Sequence, residues 1–322
     1  MKRIILSVVL CLLASMGLWA QDEVSFQFRD GVDNPSLKAT MERNISRLLS
    51  AINAADSRNG DINYSGIEID NLASEGIGMI WNDAHFRITD DFIVEPCMTI
   101  KTGNSKSSGR KLIGYQVRNI PMEMHPVADG YMGDLYQEAC IDLDAKGNIT
   151  DFNITMGVNQ YRDFLRGSEK LDDLDRRMQI LHWVEQFRNA YCQKDMNFME
   201  NVFSEDALIV TGKIVKRVPS EVEVIYESLK KREYLNRLAG VFKRNSYINV
   251  KFDDISVMRH AAKPNYYGVR LKQGWFTKDY SDEGKLFIIW DFRNELEPKI
   301  LVRTWQPLED EQVFELANFK LN

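Results

Sequence analysis

The sequence predicts an α+β chain of two tandem domains, each with N-terminal helices laid on one face of a curved antiparallel sheet. Three observations carry this. The chain has 322 residues, enough for about two domains of ordinary size. Apolar residues recur at helical steps of three and four in two places, within 36–81 and again within 180–203. Each place is followed by strand-like runs of period two, the order that a helix layer over a sheet produces.

The first element is a leader. Lys2-Arg3 precedes the apolar run Ile4–Leu13 and small residues up to Ala20. That run is too short to span a bilayer and reads as a secretory signal peptide over 1–20, cleaved before Gln21. Cys11 lies inside the apolar run, and Val8-Val9-Leu10 makes a poor lipobox, so a lipid anchor is not expected. Cleavage removes Lys2 and Arg3 and no acid, which takes the net charge from −6 to −8. The mature chain is then expected to be periplasmic or extracellular. An acidic exported protein without a basic stripe speaks against nucleic-acid binding. No later segment is long enough for an integral membrane helix.

Residues 36–54 place Leu37, Met41, Ile45, Leu48 and Ile52 on one helix face, with Ser36 after Pro35 as N-cap. Ile69, Leu72, Ile77, Ile80 and Trp81 mark a second helix. Strands follow at 86–101, 112–122, 134–144 and 149–157. This first domain spans 31–160, and a charged linker with Gly167 occupies 161–174. The second domain spans 175–322. Ile180, Val184, Phe187 and Tyr191 build its long helix. Val222, Val224 and Tyr226 alternate like a strand, although Ser220 with Glu223 also fits a capping box. A helix covers about 229–244 through Leu235, Leu238 and Phe242. Strands fill Tyr247–Val257, Tyr266–Thr277, Lys285–Arg293 and Lys299–Trp305, broken by Gly284 and the turn Asn294–Pro298. Strand 286–292, Leu-Phe-Ile-Ile-Trp-Asp-Phe, is apolar on both faces. It is either central and covered twice, or its second face meets the other domain; a packed domain–domain interface is the expectation.

Residues 187–211 hold the most specific local pattern. A long helix ends near Lys194, and a short one carries Phe198 and Val202–Phe203. Ser204-Glu205-Asp206 then leads into an apolar strand. This order resembles the opening of an NTF2-like (cystatin-like cone) domain, and the resemblance extends over 175–306. Residues 31–158 have matching order without the Asp-Met-Asn-Phe-Met-Glu segment, and resemble a diverged second copy. The resemblance implies cone-shaped domains whose helices close over a concave sheet, leaving a pocket. Known members include isomerases, dehydratases, transport adaptors and binding or assembly domains, so the fold alone does not choose a function.

Members that resemble ketosteroid isomerase use a buried carboxylate base with acidic or phenolic donors. Asp253, Asp254, Asp291 and Tyr226 have the right chemistry, but none sits in a matching local motif, and surface turn acids explain Asp253-Asp254 as well. An inward, partly buried acid facing a tyrosine favours an enzyme. A cone filled by side chains favours assembly through the outer sheet surface. For binding, Trp275, Trp290 and Trp305 fall on three successive strands, and Arg293 and Arg303 alternate with them. Together with Tyr226, these six are the candidate ligand-binding residues. A filled core is the competing reading of the three tryptophans.

No catalytic residue, cofactor or metal site is expected. Asp142–Asp151 imitates a calcium loop, but Lys146 and Asn153 stand where oxygen ligands belong, and a β-hairpin with Lys-Gly-Asn at its tip explains the same residues. Thr102–Lys111 fails the phosphate-loop spacing. His85, His125, His182 and His260 form no zinc pair, and there is no Gly-x-Ser-x-Gly elbow. His260 could line a pocket mouth. Cys97, Cys140 and Cys192 form no Cys-x-x-Cys site; Cys97 and Cys140 are open to a bridge or to burial as free thiols. The functional expectation is an exported, non-catalytic binding or assembly protein whose partner is an unknown small molecule or protein. The alternatives are an isomerase or dehydratase using a pocket carboxylate in the second domain, or a periplasmic carbohydrate- or lipid-binding protein.

Overall fold

A computed structural model describes residues 22–102, 111–155, 174–218 and 221–321. The leader, the tip of the 101–111 loop and nearly all of the predicted linker lie outside the described residues. The chain divides into two compact units, one built from 22–101, 111–127 and 134–155, the other chiefly from 174–321.

The first unit runs β1 (Ser25–Phe28), α1 (Pro35–Arg58), α2 (Asn71–Asp83), β2 (Ala84–Ile88), β3 (Phe92–Glu95), β4 (Met98–Thr102), β5 (Lys111–Pro126), β6 (Tyr136–Asp144) and β7 (Ile149–Ile154). Its main sheet is the antiparallel series β2-β5-β6-β7, with β4 on β5. The single run expected at 86–101 is three strands, interrupted at residues 89–91 and at Pro96-Cys97; proline cannot donate to a ladder. The cap of α1 is Asn34, not Ser36. Its Oδ1 accepts from the Ser36 and Leu37 N–H groups at 3.0 and 3.2 Å, with Pro35 in the first turn. The expected face of α1 is buried at Met41, Ile45, Leu48 and Ile52. In α2 the face is shorter than expected: Leu72 is exposed, and Ile69 precedes the helix to bridge Ile149.

Strand β1 was not legible in the sequence. It pairs in parallel with β3 on one edge. On the other edge α1 side chains take its alternate N–H groups. Val24 donates to Ser50 Oγ, Phe26 to Ser46 Oγ and Phe28 to Glu42 Oε1, at 2.9, 2.9 and 2.7 Å. Two strand residues advance about 6.6 Å and four helical residues about 6 Å, so the two periods stay in step over three bonds.

The calcium-loop imitation is a hairpin. Asp144 Oδ1 accepts from the Lys146 and Asn148 N–H groups at 2.8 and 3.0 Å, and Gly147 takes φ +95° at the tip. Partial burial pushes the Asp144 carboxyl up, but the bonds from Asn148, Lys146 and Gly147 outweigh it and hold its pKa below the usual value. Among the described residues, Cys97 and Cys140 do not bridge to each other.

The second unit runs α3 (Leu174–Cys192), α4 (Met196–Val202), β8 (Phe203–Val218), β9 (Glu221–Lys230), α5 (Lys231–Arg244), β10 (Asn249–Arg259), β11 (Tyr266–Phe276), β12 (Ser281–Asp291) and β13 (Lys299–Pro307). The segment left open between strand and capped helix is therefore strand. The sheet order is β10-β11-β12-β13-β8-β9, antiparallel except for the parallel pair β13–β8. Both units place helices before their main sheet, but they do not share strand order.

The predicted face of α3 is fully buried at Ile180, Val184, Phe187 and Tyr191. Phe187 meets the rings of Tyr191, Phe203, Phe252 and Trp290 at 4.9–6.4 Å between centroids. After α3, Lys194 turns the chain at φ +58°, and Asp195 Oδ1 caps α4 by accepting from Phe198 N–H at 2.9 Å.

The doubly apolar β12 needs a different explanation from the expected domain interface. Its inward residues Leu286, Ile288 and Trp290 join the main core. Its outward Phe287 and Ile289, with Val302, are covered by the chain's own C-terminal tail through Phe314, Leu316, Phe319 and Leu321. Phe319 stacks on Phe287 at 6.1 Å. Lys285 Nζ and Arg270 Nη2 donate to the tail carbonyls of Asp310 and Phe314 at 2.6 and 3.2 Å. Gly284 does not break the strand but lies inside it.

Candidate functional site

The core of the second unit fills one end of the cone and leaves the other open. Toward Trp290 the inward side chains of β11, β12 and β13 are large and apolar. Toward the opposite end they become Gln273, Trp275, Asp282, Gly284, Arg303 and Trp305. The change opens a cavity of about 950 Å³. Gly284 helps to shape its floor. A Cβ there would stand 2.6 Å from Trp305 Cε2 and 2.4 Å from the Gln306 carbonyl oxygen, so only glycine lets the Trp305 indole approach β12 this closely. Helix α5 walls the cavity with Tyr234, Leu238 and Val241, spaced by four and three residues. Arg237 on the same helix forms a forked pair with Glu227 of β9, both bonds 2.7 Å.

Four of the six candidate residues line this cavity: Tyr226, Trp275, Arg303 and Trp305. The Tyr226 hydroxyl accepts from Gln306 Nε2 at 2.9 Å. Trp275 stands edge-on to Tyr191 at 5.4 Å. The other two candidates lie elsewhere. Trp290 is fully buried in the core; at about 3.3 Å per residue it sits roughly 26 Å along β12 from Asp282. Arg293 follows the end of β12, where the alternation that would turn it inward has stopped. Its guanidinium grips Asp291 at 2.7 Å and lies 5.4 Å from the Tyr266 ring centroid. That ion pair also occupies Asp291. Asp254 is exposed at a bulge with φ +51°, and neither it nor Asp253 lines the cavity. His260 is no pocket residue: its Nδ1 accepts from the Ala262 and Lys263 N–H groups, both at 3.1 Å, and caps a turn.

The centre of the site is Arg303, only 6% exposed. Its guanidinium lies 5.3 Å from the Tyr234 ring centroid, and its Nη2 donates to Gln273 Oε1 at a long 3.4 Å. Its Nε is buried without a partner. Burial works against the charge, but Tyr191, Tyr234 and Asp282 outweigh it and keep the group cationic. Tyr191 meets Tyr234 hydroxyl to hydroxyl at 2.5 Å. Burial drives the Tyr191 pKa well up, with Arg303 pulling the other way, so it is a neutral phenol.

Sequence reasoning missed Asp282. It lines the cavity, and Tyr280 donates its hydroxyl to Asp282 Oδ2 at 2.5 Å. Burial raises its pKa, opposed by the Tyr280 bond and the Arg303 charge. The register Trp275↔Asp282 sets it there. A strand start at residue 281 in place of 285 was the signal that could have found it. The ionic lining comprises Lys213, Arg237, Arg244 and Arg303 against Glu227 and Asp282, an excess of positive charge in a chain whose net charge is −6.

No family model matches the chain, and no curated protein matches it. Several solved structures resemble part of it. One is Bd1075 of Bdellovibrio bacteriovorus, 14% identical at a TM-score of 0.33, over 52% of this chain and 46% of that one. This chain thus spans about half of that protein's length. Another is a candidate dehydratase of the NTF2-like family from Streptomyces avermitilis, 11% identical at a TM-score of 0.32, over 40% of this chain and 94% of that one. A third is a candidate scytalone dehydratase from Novosphingobium aromaticivorans, 12% identical at a TM-score of 0.33, over 41% and 84%. The second unit has helices ahead of a six-stranded sheet, in the order that the resemblance to an NTF2-like domain implies. Likenesses this distant carry nothing about its chemistry.

Proposed function

We propose that the chain is an exported binding protein that holds a small molecule in the open cone of its second unit without acting on it. The observation that supports this best is the cavity. Its volume of about 950 Å³ is that of a ligand site, and its wall is apolar and aromatic with a few convergent polar groups. Trp275 and Trp305 offer surfaces on which a ring, a sugar or a lipid chain could lie. Assembly through the outer sheet surface is the weaker form of the binding reading, because the tail covers Phe287, Ile289 and Val302 there. Among the described residues no helix is long and apolar enough to cross a membrane. Export rests on residues 1–20, and N-terminal sequencing of the mature protein should start at Gln21. An intact, lipid-modified N-terminal cysteine would contradict it.

A thermal-shift screen of small apolar and amphiphilic compounds tests binding. Hits should raise the melting temperature of the full chain, and Thr211→Trp, which fills the cavity from β8, should abolish the rise. Rises that persist in Thr211→Trp would place binding elsewhere.

One observation favours a second reading, an isomerase or dehydratase. Asp282 is an inward, partly buried acid that accepts from a tyrosine, and its raised pKa suits a general base or acid. Prolonged incubation of each hit in D₂O separates the two. Recovery of unchanged compound supports pure binding. Deuterium uptake or loss of water that stops in Asp282→Asn, with affinity retained, would establish the enzyme.

A further inference from the structure

We infer that the ligand of this cavity is an anion on an apolar body, with a carboxylate seated on Arg303 and a ring or hydrocarbon frame beside Trp275 and Trp305. The inference rests on the reading of the cavity as a binding site, and it names the chemistry that the site would select.

A buried guanidinium is costly unless its charge and donors are met. In the protein alone they are met in part. The Tyr191 hydroxyl bonds to the guanidinium, the Tyr234 ring lies near it, and Gln273 Oε1 takes one long bond. Its Nε donor has no partner. Among the described residues no carboxylate forms an ion pair with it. Asp282 is within electrostatic influence, but its Oδ2 already accepts from Tyr280. Guanidinium donors present a planar edge that a carboxylate matches with two parallel bonds. A neutral ligand could accept from that edge but would leave its charge unpaired. Lys213 and Arg244 at the wall add to the attraction, whereas Arg237 is already held by Glu227. Leu229, Leu238 and Val241 leave the body of the ligand an apolar place.

Two probes of one shape provide the test: 2-naphthoate and 2-naphthalenemethanol, titrated calorimetrically into the full chain. Naphthoate should bind at least about tenfold more tightly, the advantage expected of a charge-assisted pair over a neutral one. Arg303→Met should remove the difference, and Arg303→Lys should keep part of it. Equal binding of both probes overturns the anion inference and leaves the cavity reading standing. Binding of neither overturns both. If Arg303→Met fails to fold, the double variant Lys213→Ala/Arg244→Ala decides. A preference that survives there supports Arg303; a preference lost there belongs to the wall charges and overturns the assignment.

Discussion

Tyr191 and Tyr234 meet hydroxyl to hydroxyl, 2.5 Å apart, and so tie the long helix α3 to the cavity helix α5. Tyr191 is fully buried and Tyr234 stands on the cavity wall, with Arg303 against both. The pair marks the level where the packed core ends and the open cone begins. Tyr191→Phe keeps the ring packing and removes the hydroxyl. It should cost about 1–3 kcal/mol, the range for a lost buried hydrogen bond with its partner left behind. The urea midpoint of the full chain measures this, and an unshifted midpoint would show that the bond contributes nothing.

Phe203 begins β8 at 1% exposure, edge-on to Phe187 at 5.9 Å and to Tyr234 at 5.5 Å. Phe203→Ala should destabilise by about 3–5 kcal/mol. A loss below about 0.5 kcal/mol, the size of a surface change, is incompatible with this packing.

The tail after Pro307 shields the outer face of β12. Truncation there should expose Phe287, Ile289 and Val302 as one apolar patch. The truncated chain should self-associate in sedimentation and bind an apolar dye, and Phe319→Ala should do so more weakly. A monomeric truncated chain that binds no dye contradicts the shielding role.

Asp282 gives a pH signature. Burial raises its folded pKa above the ordinary carboxylate value, against the Tyr280 bond and the Arg303 charge. Between the unfolded and folded values the folded state binds more protons, so this group's contribution to stability falls as pH rises through that window. Asp282→Asn removes the charge, so its stability relative to the parent should grow from about pH 4 toward neutrality. A flat or shrinking difference in paired melting curves would contradict the burial.

The helices were legible because Met41 to Ile52 and Ile180 to Tyr191 repeat at steps of three and four. The inward-facing tryptophans were legible as a set, since strand alternation gives the face of each side chain. Their height along the cone was not, because that depends on register. Trp275 pairs with Asp282, whereas Trp290 pairs with Tyr267 and Ile300 at the filled end. Arg293 was misplaced for a related reason: where a strand stops is less visible than that it exists. The two apolar faces of β12 are legible in the sequence, but the expected cover for the second was the other domain, whereas it is a tail without periodicity of its own. Strand β1 is held by Ser46, Ser50 and Glu42, polar residues of α1 that carry no periodic apolar signal.

The most direct test of the account is hydrogen–deuterium exchange of the full chain with and without saturating 2-naphthoate. The account predicts added protection in α5 and at the cavity ends of β8, β9, β11, β12 and β13, around Thr211, Tyr226, Trp275, Asp282 and Trp305, with the first unit unchanged. Unchanged exchange at those positions under saturation, or protection confined to the first unit, would contradict an open ligand-binding cone.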